Sequence, residues 1–201
     1  MPTILTEETP TGKLVFEFSD KWQVCKYDEL PFYSVIKHKG VKAVDFLATS
    51  KKSLLLMEVK YITATNEKSR LRLTENEQKL VVVHSIRPYI VERPYLIDEV
   101  AKKVKDTLLG LLAVHRGNED ELKRHSNSIF YCSDKPIVVL LFLERSSELN
   151  QEIQFKPVAS HLKLKIEQKL SFLGNVHVAV VNSLTLPANL EIKILENEAK
   201  T

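Results

Sequence analysis

Glycine is scarce in this chain, with five residues, and prolines number eight. So few chain breakers argue against long flexible linkers or low-complexity segments. Cysteine is scarcer still: Cys25 and Cys132 lie far apart, no Cys-x-x-Cys occurs, and the six histidines fall in no zinc-ligand spacing. Neither a structural zinc nor a disulfide framework is expected, and two reduced thiols suit a cytoplasmic protein. There is no Gly-x-Ser-x-Gly and no glycine-rich segment ahead of a lysine, so nucleophile-elbow and phosphate-loop chemistry find no support. No apolar run approaches membrane-span length; the densest, Pro136 to Leu143, is strand-sized. Met1 to Thr11 is polar and acidic, with Pro2 and Pro10, and looks like neither a signal nor a transit peptide. No membrane partner and a cytoplasmic location are expected.

What is present is a chain of 201 residues, 44 % hydrophobic and 27 % charged, with a formal net charge of +3. That length suits one domain over residues 1–201. The mild charge permits nucleic-acid binding without demanding it, so any such contact must rest on local clusters.

The informative stretch is Val41 to Tyr61, two short and very apolar strands joined by a polar turn at Thr49 to Ser53. Asp45 lies in the first strand, and Glu58 and Lys60 lie near the end of the second. Side chains alternate along a strand, so Glu58 and Lys60 point the same way. Charges in strands this apolar are unfavourable unless a metal, a substrate or an ion pair uses them.

Around this hairpin the pattern alternates between strand and helix periods. Residues 1–12 read as loose, and Leu14, Phe16 and Phe18 as a strand. Lys21 to Ile36 fits either a helix or a strand, broken at Pro31, with a short helix favoured over Phe32 to Lys37. Residues 62–136 read as a helical insertion. Within it, Thr74 and Glu77 form a capping box for a helix to Ile86, and Ile97, Val100, Val104, Leu108, Leu111 and Leu112 mark a long helix ending at Gly117. Asn118 to Ser128 reads as a surface loop. Ile137 to Leu143 and Val176 to Val181 read as strands apolar on both faces, separated by a helix that Pro157 opens, and Leu190, Ile192 and Ile194 as a terminal edge strand. The expected fold is α/β: a central mixed sheet with helices on both faces.

Phosphodiester hydrolysis needs a charged transition state neutralised and a deprotonated water delivered in line. A hard divalent cation on oxygen ligands serves both needs. Asp45 and Glu58 can supply two carboxylates for magnesium, with manganese as a substitute, and the Val59 backbone carbonyl a third oxygen. Lys60 can position or deprotonate the water. A strand-edge ion pair of Lys60 with Glu58 or Asp45 is the plainer account, but it leaves the second carboxylate unexplained. Lys39, Lys51, Lys52, Arg70 and Arg72 are candidates for gripping phosphates, against the ordinary role of solvated surface. Asp98, Lys102 and Asp106 fit ion pairing along a helix, with Lys102 or Lys105 as possible nucleic-acid contacts.

Asp45, twelve intervening residues and then Glu58-Val59-Lys60 resembles the PD-(D/E)XK signature of restriction-endonuclease-like nucleases, with Val44 where that family commonly has proline. The strings Trp22-x-Val24-x-Lys26-Tyr27-Asp28, Phe32-Tyr33, Lys42 to Ala48, Met57 to Lys60 and Asp98 to Leu108 are similar to a group of bacterial nuclease-like proteins described mainly by fold. The resemblance implies a restriction-endonuclease-like core and a Mg²⁺-dependent nuclease acting on DNA. It also implies a further acid ahead of the hairpin, for which Asp28 is preferred to Glu29. Double-strand cutting makes a homodimer plausible. The alternative is a catalytically inactive nuclease-fold protein, acting as a nucleic-acid-binding or protein-interaction subunit of a larger defence or repair assembly.

Overall fold

Alternation along the central hairpin decides what lies on each side of the sheet. A computed structural model describes residues 1–9, 12–62, 73, 79–84, 87–92, 95–117, 119–132 and 134–199, with the backbone alone over 79–84, 87–92 and at 199. Strand β1 (Thr3–Thr9) and strand β2 (Gly12–Phe18) precede strand β3 (Gln23–Lys26), helix α1 (Pro31–Lys37) and the hairpin of β4 (Phe46–Thr49) and β5 (Leu54–Ile62). Then come strands β6 (Lys79–His84) and β7 (Arg87–Glu92), and helices α2 (Leu96–Arg116) and α3 (Lys123–Phe130). Strand β8 (Ile137–Arg145), helices α4 (Ser147–Asn150) and α5 (Glu152–Leu170), and strands β9 (Val176–Val181) and β10 (Ile192–Ala199) complete the chain.

The central sheet has the order β3-β4-β5-β8-β9; β3, β4 and β5 are antiparallel, and β5, β8 and β9 run parallel. This is an α/β architecture on a mixed five-stranded sheet. Leu47, Leu54, Leu56, Val139 and Leu141 pack on one side with residues of α2 and α5 such as Val100, Val104, Leu162 and Ile166. Phe46, Leu55, Met57, Val59, Leu140 and Phe142 pack on the other side against Leu14, Phe16, Phe18 and Ile192. Each fully buried leucine or phenylalanine contributes about 1.5–3 kcal/mol, which makes the two-sided burial of β5 and β8 the main source of cohesion. Phe16 meets Phe46 and Phe142 edge to face, with centroids 5.7 and 5.0 Å apart.

The expectation of helices on both faces is therefore corrected. No α-helical residue belongs to the second core among the described residues; a three-stranded sheet, β1-β2-β10, covers that face. Its strands come from the two ends of the chain, and within the stretch 1–12 expected to be loose, Thr3 to Thr9 pairs with β2 along its whole length. The terminal strand β10 is an edge, but of this second sheet.

Other expectations shift as well. Residues 79–84 form a strand hydrogen-bonded to β7, not the end of a helix, consistent with the β-branched run Val81 to Val83. The capping residues Thr74 and Glu77 lie outside the described residues, and the insertion at 62–136 contains a hairpin as well as helices. The polar segment expected as a loop at 118–128 contains most of α3. Its polar side chains turn inward and are satisfied there: Ser126 donates to the Leu111 carbonyl at 3.1 Å, and His125 Nδ1 lies 2.8 Å from Thr49 Oγ1. Burial lowers the His125 pKa to about 4, keeping that ring neutral. Pro157 sits inside α5 instead of opening it, because Phe155 anchors the preceding turn in the core. Lys21 to Ile36 resolves into β3, a 3-10 turn at Tyr27–Glu29 and α1, with Pro31 starting the helix, where its missing N–H costs nothing. Among the described residues no helix is long and apolar enough to cross a membrane.

Candidate metal centre

The strand period that buries Leu54 and Leu56 against the helices carries Glu58 and Lys60 to the same face. Asp45, two residues before Leu47, immediately precedes β4 and turns to that face too. Its position is fixed from two directions. The Val59 backbone N–H donates to Asp45 Oδ2 at 2.6 Å, just beyond the last β4–β5 pair at Phe46 and Met57. The Asp45 carbonyl accepts the Tyr27 N–H at 3.0 Å, which ties the 3-10 turn bearing Asp28 to the same spot. Asp45, Glu58, Lys60 and the Val59 backbone are thus brought together, with Asp28 alongside.

Helix α2 supplies two groups that the sequence reading did not include. Lys103 Nζ donates to Glu58 Oε1 at 2.6 Å and to Asp45 Oδ1 at 3.3 Å, so a single ammonium spans both carboxylates. Lys60 Nζ lies 2.5 Å from the same Glu58 Oε1 and 3.2 Å from Glu99. Glu58 is only 1 % exposed, and its second oxygen, Oε2, is buried with no partner.

The proton affinities of Glu58, Lys60 and Lys103 share a direction. Burial, reinforced by Asp45, raises Glu58 to about 7 despite Lys60 and Lys103. Burial opposes the charge on Lys103 and Lys60, yet Glu58 and the neighbouring acids raise both. The raised acid taken alone points to a pair that prefers neutrality, whereas the raised lysines indicate retained ammoniums. One account satisfies both: the cluster is short of positive charge, so Glu58, Lys60 and Lys103 each bind their proton more tightly. Asp28 is raised by burial and then by Asp45, and its Oδ1 is a buried atom without a partner. On the opposite wall, Glu7 of β1 is raised to about 7 by burial and again by Asp45. The Lys26 ammonium is shared between two acids, 3.2 Å from Glu7 Oε2 and 2.6 Å from Glu29 Oε1. Glu7, Lys26, Asp28 and Glu29 line an open groove of about 640 Å³.

Close approach of α2 depends on Gly110. A methyl group there would stand 2.2 Å from the Tyr27 hydroxyl. Tyr27 is fully buried beside Asp28, so a side chain at 110 would push the rear wall of the site away from Asp45.

The proposed phosphate-gripping residues fall elsewhere. Lys51 and Lys52 are exposed in the turn joining β4 to β5, at the opposite end of the hairpin from Asp45. Lys39 is exposed in the turn after α1, and Arg70 and Arg72 lie outside the described residues. Lys102 is tied to Asp106 at 2.7 Å, and Lys105 lies over the Phe172 ring.

The donor set suits a hard divalent ion only through two carboxylates. Among the described residues no group of three or more His, Cys, Asp or Glu side chains is arranged to hold a metal. Two carboxylates, with the remaining positions left to carbonyl and water oxygens, match the requirements of magnesium and not those of zinc. The unpartnered Glu58 Oε2 is the observation that favours such a fit. In comparisons with known proteins, no family model, no curated protein and no solved structure matches this chain.

Proposed function

We propose that this chain is a Mg²⁺-dependent nuclease with a restriction-endonuclease-like core, hydrolysing phosphodiester bonds of DNA. The single observation behind the proposal is that one ammonium spans Asp45 and Glu58 while Glu58 Oε2 stays buried without a partner. Two acids within reach of one cation, in a cluster short of positive charge, are poorly explained by structure alone. The order helix α1, hairpin β4–β5, helix α2 and parallel strand β8 also supports the family resemblance carried by Asp45 and Glu58-Val59-Lys60.

In this reading Asp45 and Glu58 hold the ion, and the Val59 N–H fixes the Asp45 carboxylate in orientation. The ion, when bound, neutralises phosphate charge and lowers the pKa of a coordinated water. Lys60 would orient that water and offset charge on the reacting phosphate, with Glu99 3.2 Å from its ammonium. Asp28 adds negative charge beside Asp45.

The test is cleavage of plasmid DNA and of RNA with Mg²⁺ or Mn²⁺. Asp45→Ala is expected to abolish cleavage. Lys60→Ala is expected to lower it by about a hundredfold or more, with the circular-dichroism spectrum preserved. Equal activity in parent and variants would overturn the assignment.

A second reading draws on the same lysine. A chain of ion pairs running Lys103, Glu58, Lys60, Glu99 also suits a non-catalytic subunit that binds nucleic acid or a protein partner in a larger defence or repair assembly. DNA binding without cleavage under either metal, with activity only after a partner is added, favours it.

A further inference from the structure

We infer that Lys103 is a built-in counter-cation, which holds the cleft between Asp45 and Glu58 until a divalent ion displaces it and thereby sets how tightly the site takes metal. The inference rests on the metal-dependent reading above and deepens it.

Three observations carry it. First, Lys103 is the one ammonium in contact with both acids among the described residues; Lys60 reaches Glu58 and Glu99. Second, the acids' oxygens are unequally committed. Asp45 Oδ2 is held in place by the Val59 N–H, and Oδ1 is the oxygen that faces Lys103. Glu58 Oε1 already receives two ammoniums, whereas the buried Oε2 has no partner to give up. A dication and an ammonium sharing these oxygens would stand a few ångströms apart and repel strongly in so buried a place. Third, Lys103 is placed by packing. It stands between Val100 and Thr107 at the spacing of the buried stripe of α2, and its side chain is 16 % exposed. Its long stem gives the ammonium a route outward once the carboxylates are taken.

The test is calorimetric titration of Mn²⁺ and Mg²⁺ into the full chain without nucleic acid. Lys103→Met is expected to bind Mn²⁺ about tenfold tighter than the parent, because the ion no longer competes with an ammonium. Lys102→Met removes the same charge from the same helix, but at a side chain paired outside the site to Asp106. It is expected to change affinity by less than about threefold, as a screened surface charge should. Equal tightening by the two variants would overturn the inference while leaving the metal site standing. Absence of metal binding in parent and Lys103→Met alike would overturn the metal-dependent reading, and the inference with it.

A second measurement needs no variant to fold. Reductive methylation with formaldehyde and cyanoborohydride, read by mass spectrometry, is expected to modify Lys103 slowly without metal and several-fold faster at saturating Mg²⁺. Metal binding with unchanged Lys103 protection would refute displacement.

Discussion

Two buried glutamates stand on adjacent parallel strands, on opposite faces of the sheet. Glu58 of β5 faces the helices and Glu144 of β8 faces the second sheet; they are 1 % and 2 % exposed. Glu144 is surrounded by neutral donors. Asn150 donates to it, the Ser183 hydroxyl and Asn197 amide reach Oε1 at 2.8 Å, and the Ser183 N–H reaches Oε2 at 3.0 Å. Asn182, fully buried, extends the network by donating to the Asn150 carbonyl at 2.9 Å. Both Glu144 oxygens are satisfied, and the result joins β8, the turn after β9 and β10. Glu58 instead has two ammoniums on one oxygen and nothing on the other. A carboxylate whose oxygens are all matched by fixed dipoles belongs to the architecture; one left half-matched among movable cations is available for chemistry.

Conservative amidation should separate the two most sharply. Glu144→Gln places an NH₂ among groups that themselves donate, and is expected to cost about 2–3 kcal/mol in urea denaturation. Glu58→Gln keeps an acceptor for Lys103 and Lys60 and removes a charge that burial disfavours, so about 1 kcal/mol or less is expected. Cleavage should show the reverse pattern, lost in Glu58→Gln and retained per folded molecule in Glu144→Gln. If both variants lose stability equally, the distinction between the two glutamates fails.

Much of the hairpin was legible because its signal is local. Asp45, Glu58 and Lys60 are conspicuous among leucines and valines, and the strand period alone puts Glu58 and Lys60 on one face. Lys103 was not, because a lysine on an amphipathic helix ordinarily lies on the wet face. The clue was its phase: Val100, Lys103, Thr107 and Gly110 follow the three- and four-residue spacing of the stripe that α2 buries. Glu7 gave less still, lying in a segment whose role depends on a strand pairing with the far end of the chain. The second sheet was hidden for the same reason. Residues 3–9 and 192–199 become strands around β2 through long-range pairing, which short-range periodicity does not report.

The rear wall offers a smaller perturbation that changes no charge on either glutamate. Gly110→Ala should cost about 1–2 kcal/mol, since the new methyl meets the Tyr27 hydroxyl in a closed core. Because Tyr27 also donates its N–H to the Asp45 carbonyl, cleavage should fall further than stability predicts. The Glu144 network should be untouched. A variant that loses stability but keeps its full rate would show that this wall does not position Asp45.

The smallest effect concerns pH and the charge-poor side of the comparison. Burial, helped by Asp45, raises Glu7 from an ordinary carboxylate value of 4.5 to about 7. The folded chain therefore holds this proton more tightly than the unfolded chain. Below about pH 4.5 both states are protonated and the contribution to stability is fully present. As pH rises toward 7 the unfolded chain has released the proton while the folded chain still binds it, so stability falls; above that range the contribution is lost. A shift of this size corresponds to about 3 kcal/mol if fully realised, and water in the groove beside Glu7 should reduce it to about 1 kcal/mol. Glu7→Gln is expected to flatten the decline in melting temperature between pH 4.5 and 8 by that amount, leaving the part contributed by Glu58, whose shift has the same sign. Melting curves across this range decide the matter: an unchanged slope would mean that Glu7 does not share the shortage of positive charge around Asp45.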